Sequence, residues 1–218
     1  MEFRNLIIGF CNYKIENPKN KKTKSLKLII IDYGAGNIKS IQFAFKRLGI
    51  DAVLSNNPDE IKAADKIIFP GVGEASTAMK MLKESGLDIL IPTLKQPVLG
   101  ICLGMQLLCK STEEGNTKGL GIFQTDVKKF SKDVKVPQMG WNVINHLKSH
   151  LFDGIKENEY MYLVHSYYAE HCNETIAKTD YGINYASALQ HNNFYGVQFH
   201  PEKSSLAGEQ ILKNFIEI

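Results

Sequence analysis

Two short runs in this chain carry residue types that do chemistry: Gly100-Ile101-Cys102-Leu103-Gly104 and, about 100 residues further on, His200-Pro201-Glu202. Gln96 to Ile101 reads as a strand and Met105 to Cys109 as the first turns of a helix, so the cysteine falls on the bend between them. A G-x-nucleophile-x-G bend holds its central side chain on strained backbone, with glycines where a Cβ would clash. Such a bend is expected to present the sulfur rather than bury it, and the helix N-terminus beyond it lowers a cysteine pKa. The plainer alternative is a small core residue between loop glycines, a reading that suits Cys109 and Cys172 better. What sets Cys102 apart is the histidine, because a nucleophilic cysteine needs a base brought close by the fold. The strand-like run from Asn193 to Phe199 stops at His200-Pro201, since proline cannot continue a ladder. Glu202 lies near enough to bond the imidazole and hold its tautomer. Nucleophile, base and orienter together make a triad for acyl transfer.

The other histidines carry less. His146, His150, His171 and His191 lie in polar, loop-like sequence and read as solvated, while His165, in Val164-His165-Ser166-Tyr167-Tyr168, can line a site without moving a proton. No pair of Cys or His shows the C-x-x-C or H-x-x-x-H spacing of a zinc site, so no metal is expected. Gly34-Ala35-Gly36 precedes a helix but lacks the full G-x-G-x-x-G and a placed acidic residue, so no cofactor is expected either.

The elements that must position these groups alternate. Leu28 to Asp32 is a continuous apolar run of the kind buried on both faces of a parallel sheet. Asn37 reads as the cap of a helix carrying Ile38, Ile41, Phe45 and Leu48, ended by Gly49. Ala52 to Leu54, Lys66 to Phe69 and Val98 to Ile101 read as further strands, with a helix near Glu74 to Ser85. The latter half is strand-rich, at Val127 to Phe130, Trp141 to Asn145, Met161 to Val164 and Ala186 to Leu189. Alternation followed by strands predicts an α/β protein with an open, mostly parallel mixed central sheet, flanking helices and a flavodoxin-like core. At 218 residues the chain suits one such domain, over residues 28–218. Residues 1–27, an apolar patch followed by a lysine-rich stretch, are expected to be a loosely ordered extension with no catalytic part. A net charge of +3 argues against a nucleic-acid partner, and no apolar run approaches the roughly 20 residues of a membrane span. Four cysteines without disulfide-like spacing fit a reducing cytoplasm.

Gly100-Ile-Cys-Leu-Gly-Met-Gln106 with His200-Pro-Glu202 resembles the class I (triad) glutamine amidotransferases, which hydrolyse glutamine and pass the ammonia to a synthase. Asp32-Tyr-Gly-Ala-Gly-Asn37, Pro70-Gly-Val-Gly73, Pro137-Gln-Met-Gly-Trp-Asn142, Val164-His-Ser-Tyr-Tyr168 and His200-Pro-Glu-Lys-Ser204 resemble the branch serving histidine biosynthesis. The likeness runs from about Leu28 to the C-terminus. It implies Cys102 as nucleophile, His200 as base and Glu202 as orienter, with an oxyanion hole from the N–H of Leu103 and of Val72 or Gly73, beside Gly71. It also implies that Gln106 and Glu114 hold the α-carboxylate and α-amino groups of glutamine, with backbone contacts from Ser166 and Tyr167 beside His165. By the same resemblance the partner is a (β/α)8-barrel cyclase making imidazole glycerol phosphate, met near Asn37, Trp141 and Lys203. Two alternatives stay open at this level: a glutaminase feeding another synthase, such as an aminosugar-forming one, and a stand-alone cysteine hydrolase.

Overall fold

Residues 26–34 and 37–218 are described by the computed structural model of the chain. The expectation for residues 1–27 therefore lies, up to residue 25, outside the described residues. Strands β1 (Leu28–Ile31), β2 (Ala52–Ser55), β3 (Lys66–Phe69) and β4 (Val98–Ile101) alternate with helices α1 (Ile38–Arg47), α2 (Pro58–Lys62), α3 (Ala75–Glu84) and α4 (Leu87–Leu90). After Cys102 come α5 (Leu103–Leu108), β5 (Cys109–Thr112), β6 (Thr117–Lys118), β7 (Phe123–Lys129), β8 (Gln138–Ile144) and β9 (Glu159–His165). The chain closes with β10 (Tyr167–Ala169), β11 (Thr175–Asp180), β12 (Asn184–His191), β13 (Phe194–Val197) and α6 (Ser205–Glu217).

Parallel pairing joins β2, β1, β3, β4 and β13 in that order, the 2-1-3-4-5 arrangement of flavodoxin-like sheets. Beyond β13 the sheet continues through β12, β10, β7, β5 and β6, and there the pairing is antiparallel except between β5 and β7. Strand β11 pairs with β12, and β8 with β9 forms a separate antiparallel hairpin.

Period-two side-chain alternation divides the core into two layers. On one face Ile29, Ile31, Ile67 and Phe69 pack with Ala78 and Leu82 of α3; on the other Leu28, Ile30 and Ile68 pack with Ile41 and Phe45 of α1 and with Ile211 and Phe215 of α6. All of these side chains are buried, and each large one contributes about 1.5–3 kcal/mol by leaving water. Burial on both faces is why β1 reads Leu-Ile-Ile-Ile without a polar break.

Three local expectations need correction. Asn37 makes no side-chain bond to the free amides of α1; its Oδ1 accepts the Ser40 hydroxyl at 3.0 Å instead. The helix after the nucleophile starts at Leu103, not Met105, and has given way to β5 by Cys109, whose place beside Phe123 of β7 requires extended backbone. Strand β13 stops at Val197, so His200 sits beyond the strand end rather than at it.

The contact between the Phe69-Pro70-Gly71 segment and α5 leaves no room for side chains. A Cβ on Gly71 would lie 2.6 Å from the Gly104 amide nitrogen, and one on Gly104 would fall on the Phe69 carbonyl oxygen. Gly104→Ala is therefore expected to cost about 1–3 kcal/mol of stability, read as a lower urea midpoint at unchanged slope.

Candidate active site

Strands β4 and β13 are parallel neighbours in register, Ile101 opposite Val197. The residues just past each end, Cys102 and Gln198, are therefore adjacent, and the Cys102 amide donates to the Val197 carbonyl at 2.8 Å. Cys102 has φ 54° and ψ −111°, backbone that L side chains seldom adopt, so the strained bend is as expected. The sulfur, however, is not presented: Cys102 is 8% exposed and packs in the α1/α6 layer of the core. The Pro70-Gly71 segment passes close against the start of α5 beside it, an approach that local sequence does not encode. Sγ lies 3.8 Å from the Val164 carbonyl oxygen, to which the thiol donates, and 3.7 Å from Nε2 of Gln198.

His200 is brought in by its own backbone. Its amide donates to the Tyr162 carbonyl of β9 at 2.9 Å, and its carbonyl accepts the Ser204 hydroxyl at 2.7 Å. The same hydroxyl accepts the Tyr162 amide at 3.0 Å, so Ser204 staples the His200 turn to the hairpin. Nδ1 of His200 donates to Oε1 of Glu202 at 2.9 Å, with both side chains nearly inaccessible. Burial opposes charge on the ring, but hydrogen bonds and charge interactions with Cys102 and Glu202 outweigh it and push the His200 pKa up to about 10. The imidazole is therefore protonated at neutral pH, with Nδ1 committed to Glu202 and Nε2 facing the sulfur.

His165 titrates the other way. Burial drives its pKa down to about 4, so the ring is neutral, with Nδ1 donating to the Tyr167 carbonyl at 2.7 Å and Nε2 against the Tyr185 hydroxyl at 3.2 Å. The two histidines shape stability in opposite directions. His200 holds its proton from its ordinary 6.5 up to about 10 when folded, so its contribution is complete below pH 6.5 and fades as pH rises to 10. His165 resists a proton that the unfolded chain accepts, so its contribution is lost as pH falls from 6.5 to about 4. The unfolding temperature is expected to decline on both sides of about pH 6.5, and His165→Gln should flatten the acid side only.

Gln106 is 4% exposed, and its amide protons are both committed: Nε2 donates to the Tyr167 carbonyl at 2.9 Å and to Oε1 of Gln198 at 2.8 Å. Only its Oε1 is left, so Gln106 can accept from an ammonium but has no donor for a carboxylate. The Tyr167 carbonyl, with His165 and Gln106 on its two lone pairs, is saturated, and that of Ser166 accepts the Phe130 amide at 3.1 Å. The Tyr167 carbonyl is thus not free to contact a ligand. Glu114 receives the Ala75 amide, at the start of α3, on Oε2 at 2.9 Å, and partial burial raises its pKa. Burial and then the charge of Glu114 raise the Tyr167 pKa.

The amides of Leu103, Gly104 and Met105 open α5 and have no partner within it, and Gly73 stands at φ 93° on the segment opposite. Tyr33, buried against Phe69, donates its hydroxyl to the Pro70 carbonyl at 2.8 Å and so anchors the start of that segment. Exposed apolar groups include Val72, beside the His200–Glu202 cleft, and Met139, Trp141 and Tyr160 on the β8–β9 hairpin. The Trp141 ring meets Tyr162 edge-on at 6.1 Å, exposed Lys203 sits 5.9 Å over the same ring, and Asn37 is exposed. His146, His150, His171 and His191 are exposed, as expected. Among the described residues no three or more His, Cys, Asp or Glu form a group that would hold a metal ion, and no helix is long and apolar enough to cross a membrane.

Sequence reasoning missed Gln198, Tyr33 and Ser204. A signal for Gln198 was present: a polar residue inside the buried run Val197-Gln198-Phe199 needs partners.

Residues 29–218 match the family described as glutamine amidotransferase class-I, and the chain belongs to that family. Solved structures agree on the fold. A putative GMP synthase protein from Thermoplasma acidophilum superposes with a TM-score of 0.71 at 21% identity, covering 90% of this chain and 94% of that one. A glutamine amidotransferase from Thermotoga maritima gives 0.60 at 17% identity, over 89% and 82%. Within the family, the chain is 56% identical to the imidazole glycerol phosphate synthase subunit HisH of Bacteroides fragilis, over 88% of this chain and all of that protein. It is 47% identical to the protein of the same name from Blochmanniella floridana, with the same coverage.

Proposed function

We propose that residues 28–218 form the glutaminase subunit of imidazole glycerol phosphate synthase, with residues 1–27 outside the catalytic domain. The observation that carries the chemistry is the buried Cys102–His200–Glu202 arrangement, with His200 already holding a proton. The Cys102 sulfur attacks the side-chain amide carbon of glutamine, and the carbonyl electrons move onto oxygen. Donors from Leu103 and from Val72 or Gly73 meet that oxyanion. Its collapse breaks the C–N bond, and the leaving nitrogen takes the Nε2 proton of His200 to depart as ammonia. A water, losing a proton to the same nitrogen, opens the thioester to release glutamate and the sulfur. Glu202 stays ionised and keeps Nδ1 as a donor. Gln106 Oε1 and Glu114 accept from the substrate ammonium. Supporting that assignment, both amide protons of Gln106 are committed to Tyr167 and Gln198.

The ammonia goes to a cyclase with a (β/α)8-barrel fold, docked over Asn37, Trp141 and Lys203 in the cytoplasm. The exposed apolar groups at Val72 and on the β8–β9 hairpin support that face, as does the buried sulfur. A cleft against His200 and Glu202, walled by Pro70, Gly71 and Val72, holds only ≈10 Å³, about one water. Opening the site by moving that wall is the step assigned to the partner. The test is glutamine hydrolysis by the purified chain, with and without the ligand-loaded cyclase. A rate close to zero alone that rises on adding the cyclase supports the reading; full activity alone overturns the activation step.

A further inference from the structure

Gln198 is wholly buried, and an amide taken out of water at such a position must find partners. Its orientation is dictated by a chain of necessity. The Tyr167 carbonyl can only accept, so Gln106 turns its NH2 toward it, at 2.9 Å. The same NH2 faces Gln198 at 2.8 Å, so Gln198 must offer its carbonyl oxygen there. Its own NH2 is left pointing at Cys102, with Nε2 3.7 Å from Sγ. His165, donating to the second lone pair of the Tyr167 carbonyl, locks the start of the chain.

We propose that Gln198 is a catalytic residue, donating an N–H to the Cys102 thiolate and holding it on the line of attack. The assignment rests on the glutaminase reading above and adds to it a second, uncharged donor beside the His200 imidazolium. Besides His200, the sulfur's other polar neighbour is the Val164 carbonyl, which can only accept and so cannot stabilise a thiolate. A donor on the opposite side favours the nucleophilic form, and the amide comes with no charge of its own to desolvate. Because the amide is held through Gln106, occupancy of the glutamine site and alignment of the nucleophile are joined by one hydrogen bond.

Two variants separate this from a packing role, both measured in the complex with the cyclase. Gln198→Glu keeps an oxygen for Gln106 and puts another at the sulfur, so kcat should fall about 10- to 100-fold while KM moves less. The midpoint of the pH dependence of Cys102 alkylation by iodoacetamide, located by peptide mass mapping, should rise by about 1–2 units. Gln198→Met removes both bonds, so the same rise in midpoint should come with a higher KM as Gln106 loosens. Thermal unfolding checks that each variant is folded; should Gln198→Glu not fold, the alkylation profile of Gln198→Met carries the comparison. Folded variants with the parent's kcat and alkylation midpoint would overturn the assignment. Cys102→Ala is run alongside: activity surviving there defeats the glutaminase reading itself, whereas an inactive Cys102→Ala beside a fully active Gln198→Glu defeats only the role of Gln198.

Discussion

Cys102→Ala is expected to lower kcat for glutamine hydrolysis by about 10⁴-fold or more, measured with the cyclase present and its ligand bound. The size follows from what remains. Without the sulfur there is no thioester, and no other nucleophile stands at Nε2 of His200 to form a covalent intermediate in its place. The oxyanion donors and the substrate contacts survive, which is why a residual rate above the uncatalysed one is expected. KM should change little, because Gln106 and Glu114 do not depend on the sulfur for position: Gln106 is held by Tyr167 and Gln198, and Glu114 by the Ala75 amide. Stability should fall only modestly: the thiol contacts at 3.7 and 3.8 Å are weak, and the part of the His200 proton affinity due to Cys102 is lost while that due to Glu202 remains. Cys109→Ala is the contrasting case: burial raises its thiol pKa, its sulfur faces the Met105 carbonyl, and activity should survive.

Glu202→Gln should cost about 10²- to 10⁴-fold in kcat with the fold retained. The side chain is enclosed, and its contact with Nδ1 is 2.9 Å, so an amide of the same shape fits. It can, however, turn its NH2 to Nδ1 and leave the ring proton on Nε2 for good, where it can no longer accept from water. Loss of the carboxylate charge also lets the His200 pKa fall from about 10 toward 6.5. The stability difference between parent and Glu202→Gln should accordingly be greatest below pH 6.5 and shrink as pH rises toward 10, where the parent loses the same proton. Thermal unfolding of both proteins across that range reads it directly. A difference that grows with pH would contradict the assignment of the raised pKa to the His200–Glu202–Cys102 cluster.

Those residues were legible because glycine and proline mark where the chain must bend. Gly100 and Gly104 bracket Cys102, and Pro201 ends the run at His200. The strand Lys66–Phe69 and the C-terminal end of Val98–Ile101 were readable, since burial on both faces favours an unbroken apolar run. Three things were not local and so not legible. The adjacency of β4 and β13, nearly 100 residues apart in sequence, is set by sheet order, and it alone puts Gln198 beside Cys102. The burial of Cys102 is a tertiary effect, and the close approach of Pro70-Gly71 to α5 beside it is made possible by Gly71 and Gly104 together. The commitment of both Gln106 amide protons emerges only when they are counted against Tyr167 and Gln198. Boundaries slipped for the same reason: β7 begins at Phe123 because pairing with β5 extends it beyond its own apolar run.

The central claim is a covalent one, that glutamine passes through a thioester on Cys102 with His200 and Glu202 serving it. The direct measurement is an acid quench of the complex during turnover, followed by mass analysis of its peptides. The prediction is a glutamyl adduct on the peptide bearing Cys102, accumulating in step with ammonia release and absent from those bearing Cys109 and Cys172. Steady glutamine hydrolysis with no adduct on Cys102, or with the adduct on another cysteine, would contradict it.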